Sequence, residues 1–187
     1  MIGRTAKKGT NRTSQFSSFV LNQVEFKLGE VVQLKEYSDN QCFATILKIL
    51  KKAREVYIRI RWYYKPSDIF GPKNTFFSKG ELFDSDLEQE VSIQCVYGKA
   101  QVLSLQDYHS HKELNSDTFF CRATYLTATN SITPSLESWP RVCVCSSILN
   151  PDELLIQCES CWELFHPRCV KASTTTQSWF CPRCLSD

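Results

Sequence analysis

At 187 residues the chain can hold one ordinary domain and one small one, and with 42% hydrophobic and 12% aromatic residues it can bury a core. A formal net charge of +2 excludes a protein that coats DNA by bulk charge, since such proteins are strongly basic. No apolar run approaches the ~20 residues of a membrane span, and the first basic residues are not followed by an apolar segment, so neither a membrane partner nor a secretory signal peptide is expected. In chain order, residues 1–20 form a Ser/Thr/Asn/Gly-rich leader carrying Arg4, Lys7, Lys8 and Arg12. It reads as a disordered basic tail, with a nuclear import signal or a weak nucleic-acid contact as the functional alternative. From 21 to 128 the chain reads as short strands rich in Val, Ile, Tyr and Phe: Glu30–Leu34, Ala44–Leu50, Val56–Tyr64, Val91–Val96 and Phe119–Tyr125. Turn signals separate them, such as Ser38-Asp39-Asn40, Lys65-Pro66-Ser67-Asp68 and Asn115-Ser116-Asp117. With no long helical periodicity, the fold class is mainly β and barrel-like. Residues 129–141 are a short linker in which Trp139 needs an apolar partner, and 142–187 form a separate small unit.

That last unit carries the strongest signal. Seven of the ten cysteines lie between Cys143 and Cys184, and the other three are Cys42, Cys95 and Cys121. In a reducing compartment such clustering points to metal before disulfides. The pairs are Cys143-x-Cys145, Cys158-x2-Cys161, His166-x2-Cys169 and Cys181-x2-Cys184, seven thiols and one imidazole, enough for two tetrahedral zinc sites. So short a unit cannot bury enough apolar surface to fold alone, and a structural zinc supplies roughly 10 kcal/mol or more. Four cysteines, one histidine and three cysteines, with Trp179 two residues before Cys181 and the strand Leu154-Leu155-Ile156-Gln157 before Cys158, resemble a PHD finger; a typical RING finger has its histidine one ligand earlier. The resemblance implies a cross-brace in which Cys143, Cys145, His166 and Cys169 hold one structural zinc, and Cys158, Cys161, Cys181 and Cys184 the other.

The β region carries Phe26-Lys27-Leu28-Gly29-Glu30-Val31-Val32, Arg61-Trp62-Tyr63-Tyr64-Lys65-Pro66, Lys79-Gly80-Glu81-Leu82-Phe83-Asp84-Ser85-Asp86, Gly98-Lys99-Ala100 and Phe119-Phe120-Cys121-Arg122. On these residues it resembles a BAH domain. With the finger directly behind it, the chain resembles the plant-type BAH–PHD chromatin readers of the SHORT LIFE and EARLY BOLTING IN SHORT DAYS family over about residues 24–186. The resemblance implies a nuclear, non-enzymatic protein of transcriptional regulation. Its partners would be the histone H3 tail on the nucleosome and a chromatin-modifying complex, with trimethyl-lysine 27 read by the BAH domain and trimethyl-lysine 4 by the finger. Trp62 and Tyr64, which share a strand face, match two positions of the family's aromatic cage. Val56, Ile58 and Ile60 lie on the same face, so both rings equally suit a core. The family's third wall, a Tyr, falls here on Cys42. Either the adjacent Phe43 fills the role through a shifted register or the cage has two aromatic walls. Asp86, after Asp84, is a candidate for basic tail residues, against the plainer reading of a solvated turn.

The finger departs from the family at Leu149, Leu155 and Leu164, which stand where its trimethyl-lysine cage residues belong. An aliphatic wall has no quadrupole to hold a cation, so a full cage is not expected. Trp162, if the segment is extended, shares a face with Leu164. Asp152, Glu153, Glu159 and Glu163 form an acidic set that suits an unmodified lysine or a free amine, or is surface charge. His109 and His111 read as exposed loop residues, and Cys42, Cys95 and Cys121 as reduced thiols. Lys48, Lys51, Lys52, Arg54, Arg59 and Arg61, with Glu55 against them, are a candidate for weak contact with the DNA backbone or a solvated hairpin. No catalytic constellation is present in the sequence. An adaptor that binds a protein partner and no modified tail, or a zinc-dependent ubiquitin ligase, are the alternatives to a reader.

Overall fold

The computed structural model describes residues 2–4, 16–35, 41–52, 54–72, 76–111, 113–173 and 178–185, and the chain divides into two compact units. The first contains residues 1–72 and 80–133, the second 73–79 and 134–187.

The first unit is built from β1 (Ile2–Arg4), β2 (Phe16–Leu21), β3 (Val24–Lys27), β4 (Val31–Lys35), β5 (Gln41–Lys52), β6 (Glu55–Tyr63), α1 (Pro66–Phe70), β7 (Asp84–Ser85), β8 (Glu88–Ser92), β9 (Val96–Ser104), α2 (Leu105–Ser110), β10 (Thr118–Cys121), β11 (Thr124–Leu126) and β12 (Ser131–Thr133). They form a six-stranded sheet in the order β10-β9-β4-β5-β6-β8 and two three-stranded sheets, β1-β2-β3 and β12-β11-β7. The mainly β reading therefore holds. The central hairpin follows from alternation. Ala44, Ile46 and Ile49 on β5 and Ile58 and Ile60 on β6 are buried on one face, in one core with Phe19, Phe26 and Val32. The register of β5 against β6 shifts between Ile46 and Lys48, which resets the phase so that Ile49 faces inward and Lys48 outward. The opposite face has its own core, Phe43, Leu82 and Phe119, with Tyr63 packed against it. Gly29 takes φ +83° in the turn into β4 and donates its N–H to the Ile46 carbonyl at 2.9 Å, a backbone shape strained for any other residue.

Three expectations change. The disordered tail expected over 1–20 is overturned at both ends: Ile2–Arg4 pairs with Phe16–Leu21 as strands, Phe16 and Phe19 are buried, and Phe19 stacks on Phe26 at 5.1 Å. Two Phe side chains gain more from burial, about 1.5–3 kcal/mol each, than the polar composition around them implies. Residues 1 and 5–15, with Lys7, Lys8 and Arg12, lie outside the described residues. The strand expected at Val91–Val96 is interrupted by a 3-10 turn at Ile93–Cys95, where the Ser92 hydroxyl accepts the Gln94 N–H. His109 lies in the helix α2 with His111 at its end, and both are exposed.

The second unit contains β13 (Arg141–Val142), β14 (Ser147–Ile148), β15 (Ile156–Gln157), β16 (Leu164–Phe165) and α3 (Pro167–Val170). Two two-stranded ladders, β13-β14 and β15-β16, are too little sheet to be stable alone. Its apolar centre is Cys158, Phe165 and Cys181, with Trp179 edge-on to Phe165 at 5.3 Å. Trp139, 4% exposed, finds its partner in Phe77, ring centroids 6.0 Å apart, from the 73–79 stretch of the same unit.

Candidate functional site

The four cysteine and histidine pairs assemble into two quartets, Cys143, Cys145, His166, Cys169 and Cys158, Cys161, Cys181, Cys184, each with its ligand atoms within 4.8 Å of one another. Tetrahedral zinc with Zn–S near 2.3 Å requires sulfur atoms about 3.8 Å apart. The Cys161 and Cys181 sulfurs are 3.8 Å apart, and the Cys145 sulfur is 3.4 Å from His166 Nδ1. The quartets fit two zinc ions, each with four protein ligands. His166 offers Nδ1 to its quartet and presents Nε2 to the Glu153 carboxylate, which orients the ring. Backbone bends bring the first pair together: Cys143 has φ 66° and Ser146 φ 53°. The Ser147 hydroxyl beside Cys145 holds its thiol down at about 6. At Cys158 burial opposes ionisation, yet the N–H groups of Cys161, Cys181 and Ser160 outweigh it and bring it to about 6. Burial, then the neighbouring Cys143 and Cys145 thiols, pushes Cys169 up to about 11.

The acidic set on the finger is committed internally. Asp152 accepts from the Ser78 hydroxyl and the Lys79 N–H, both at 2.8 Å. Glu153 pairs with His166, Glu159 accepts from Ser178 at 2.8 Å, and Glu163 pairs with Arg183 at 2.7 Å. Trp162 is 68% exposed with φ 61°, so the segment is not extended there and the alternation that would put it beside Leu164 is broken.

In the first unit, Trp62 and Tyr64 are half-buried on one face at the end of β6. Trp62 leans on the core and donates its indole N–H to Gln89 at 3.0 Å, so it is both a core margin and a surface ring. Tyr64 makes an antiparallel bridge to Phe83. Phe43 does not join them. It pairs with Tyr63, not Tyr64, and at 1% exposure it is buried on the other face with its ring 4.4 Å from Phe119. The register that puts Trp62 and Tyr64 on one side necessarily puts Phe43 on the other. Cys42 is on the Trp62 side and packs against the same core. Sequence reasoning missed Tyr125, whose ring is edge-on to Tyr64 with centroids 5.0 Å apart. Burial, then Tyr125 and the carboxylates of Asp86 and Asp68, raises the Tyr64 hydroxyl above its ordinary value. Exposed Asp86 accepts from the Thr127 N–H and hydroxyl at 2.9 and 2.8 Å, which hold its carboxyl below the usual range. The basic hairpin is countered across the sheet: Lys52 pairs with Glu90, and Arg61 with Asp84 at 2.9 Å.

Residues 24–133 match the BAH domain family and residues 143–184 the PHD-finger family. Two Arabidopsis thaliana proteins are similar along the chain. The chromatin remodeling protein SHL is 33% identical over 131 residues, 68% of this chain and 57% of the relative. The chromatin remodeling protein EBS is 32% identical over 149 residues, 77% of this chain and 63% of the relative. The chain thus spans about three fifths of the length of these relatives. Among solved structures, the yeast Rsc2 BAH domain superposes with a TM-score of 0.52 at 15% identity, covering 63% of this chain and 53% of that one, a likeness of fold alone. With a BAH match over more than half its length, a two-quartet PHD finger behind it and relatives above 30% identity that cover two thirds of it or more, the chain belongs to the BAH–PHD family.

Proposed function

We propose that the chain is a nuclear chromatin reader of the histone H3 tail, its BAH domain taking a methylated lysine, first of all trimethyl-lysine 27, against Trp62 and Tyr64. One observation carries the reading: two half-buried aromatic rings share a face at the end of β6, in the family whose relatives bear chromatin names. Trimethyl-lysine keeps its charge but cannot donate a hydrogen bond. Aromatic faces therefore hold it and exclude water, each contributing about 0.5–2 kcal/mol. The Asp86 carboxylate, fixed by Thr127 near Tyr64, adds negative charge at the rim. The finger docks the tail without a trimethyl-lysine cage. Leu149, Leu155 and Leu164 supply no ring, and the nearby acids already hold partners. The protein works by binding, within a chromatin-modifying complex, and not by catalysis.

Isothermal titration of the intact chain with H3 peptides tests this. The peptide trimethylated at lysine 27 should bind more tightly than its unmodified form, and Tyr64→Ala should weaken it about tenfold or more while the thermal melt stays within a few degrees; Trp62→Ala should weaken it as much but also lower the melt, because its ring packs on the core. Trimethylation at lysine 4 should bring no gain. Equal binding of modified and unmodified lysine 27 peptides would sink the cage, and a strong gain at lysine 4 would show that another aromatic rebuilds the finger's cage.

A further inference from the structure

We infer that Tyr125 supplies the third aromatic wall of the Trp62–Tyr64 site, on the far side of β7 from β6; this rests on the methyl-lysine reading above. The register makes the argument. Tyr64 bridges Phe83 antiparallel, and two residues further along that segment the Ser85 hydroxyl donates to the Trp62 carbonyl at 2.7 Å, while the Trp62 N–H goes to the Leu87 carbonyl at 3.1 Å. Ser85 in turn is the parallel partner of Tyr125. Partners across a ladder share a face, and residues two apart along a strand share it too. Trp62 shares a face with Tyr64, Ser85 shares one with Tyr125, and the Tyr64 and Tyr125 rings meet at 5.0 Å, which brings the two pairs to one side.

Adjacent strands are about 4.8 Å apart, so Trp62 and Tyr125 are two strand spacings, about 10 Å, from each other. Ser85, buried and small, pairs with Tyr125 and bonds the Trp62 carbonyl. The row is thus a large ring, a small floor and a second large ring, with Tyr64 closing one end against Tyr125 at 5.0 Å. That gap suits the width of a methylated ammonium between two ring faces. Tyr125 is half-buried, and its hydroxyl donates to Asn130 Oδ1 at 2.7 Å, which fixes the ring before any ligand arrives. On the other side of Trp62, Cys42 is too small to form a wall and is packed into the core. Asp86, the residue after the floor serine, sets its carboxylate at the rim by its two bonds from Thr127.

The test compares two probes on the intact chain: an H3 peptide with trimethyl-lysine 27, and the same peptide with carbon in place of the quaternary nitrogen. Tyr125→Phe keeps the ring and should bind both within about twofold of wild type. Tyr125→Leu keeps apolar volume but loses the π face. It should weaken the charged peptide about five- to tenfold and leave the neutral one nearly unchanged. If Tyr125→Leu weakens both peptides alike, Tyr125 only buttresses Tyr64 and the inference is overturned. It is overturned equally if both peptides bind as to wild type. Should Tyr125→Leu unfold, contacts between the N-methyl protons and the Tyr125 ring protons, sought by nuclear Overhauser spectroscopy on wild type, decide the matter; their absence refutes the wall. Loss of charge preference in Trp62→Ala but not in Tyr125→Leu would leave a two-walled cage standing. No preference for the charged peptide in wild type would remove both readings.

Discussion

Glu81 is 1% exposed and grips Arg122 through two hydrogen bonds of 2.6 and 2.8 Å. A buried carboxylate survives only when paired in this way, and removing one partner strands the other's charge. The pair also fixes geometry, because Glu81 bridges Phe120 in parallel and so ties the segment carrying Ser85 and Asp86 to the one carrying Tyr125. Glu81→Ala should cost about 3–5 kcal/mol in urea denaturation, and replacing both partners with leucine should cost less than that single change. A double variant less stable than Glu81→Ala would refute this account. At this scale the sequence was legible only where partners are near. Glu81 belongs to the local run Lys79–Asp86, yet its partner is 41 residues away. Tyr125 was placed in a strand, but its neighbour Tyr64 is named only by a register that no local pattern encodes.

Among elements, the zinc knuckles are the most legible, because two ligands two or three residues apart announce themselves in the sequence. The pairing of the quartets came with the family resemblance, and the structure brings the same eight residues together. Their chemistry carries a measurable proton count. In the ordered finger Cys145 and Cys158 are held down at about 6. Cys169 is pushed to about 11, and Cys184, despite the opposing Ser160 hydroxyl, to about 12 by Cys181 and burial, so both carry protons until metal displaces them. The metal-free finger loses this order, so its thiols return towards about 8.5 and are protonated at pH 7; zinc binding should therefore release more than one proton per site, and affinity should rise with pH. Titrating zinc into the metal-free chain in buffers of different ionisation enthalpy measures the release; enthalpies independent of buffer would contradict it. The strands were legible in part. The β5–β6 hairpin shows its alternation openly, whereas β2 hides in polar company and β9 alternates too weakly, with Tyr97 exposed and Gly98 within it.

On the scale of the molecule, the boundary between the units does not follow the sequence. The stretch 73–79 falls in the middle of the matched BAH region yet belongs to the zinc-bearing unit. Sequence reasoning could not see this, because a segment's allegiance depends on what it packs against. Here Phe77 meets Trp139, and Asp152 holds the Ser78 hydroxyl and the Lys79 N–H. The second unit has little apolar core besides its ligands, so its order depends on the metal. Among the described residues the first unit is held by apolar cores around Ile46 and around Phe43, and neither contains a member of the two quartets. Chelation at neutral pH should therefore melt one unit and spare the other. Trp139 should move into water and shift the emission to longer wavelength, while the first unit keeps its cooperative thermal transition. The 77–79 stretch should come loose with the finger, because Trp139 and Asp152, which hold it, belong to the finger's unit. Lys79 should then become a site of rapid tryptic cleavage in chelator and a slow one with zinc restored. Equal cleavage at Lys79 in both conditions would show that the stretch is held by the first unit instead, and that its bonds to Asp152 do not govern it.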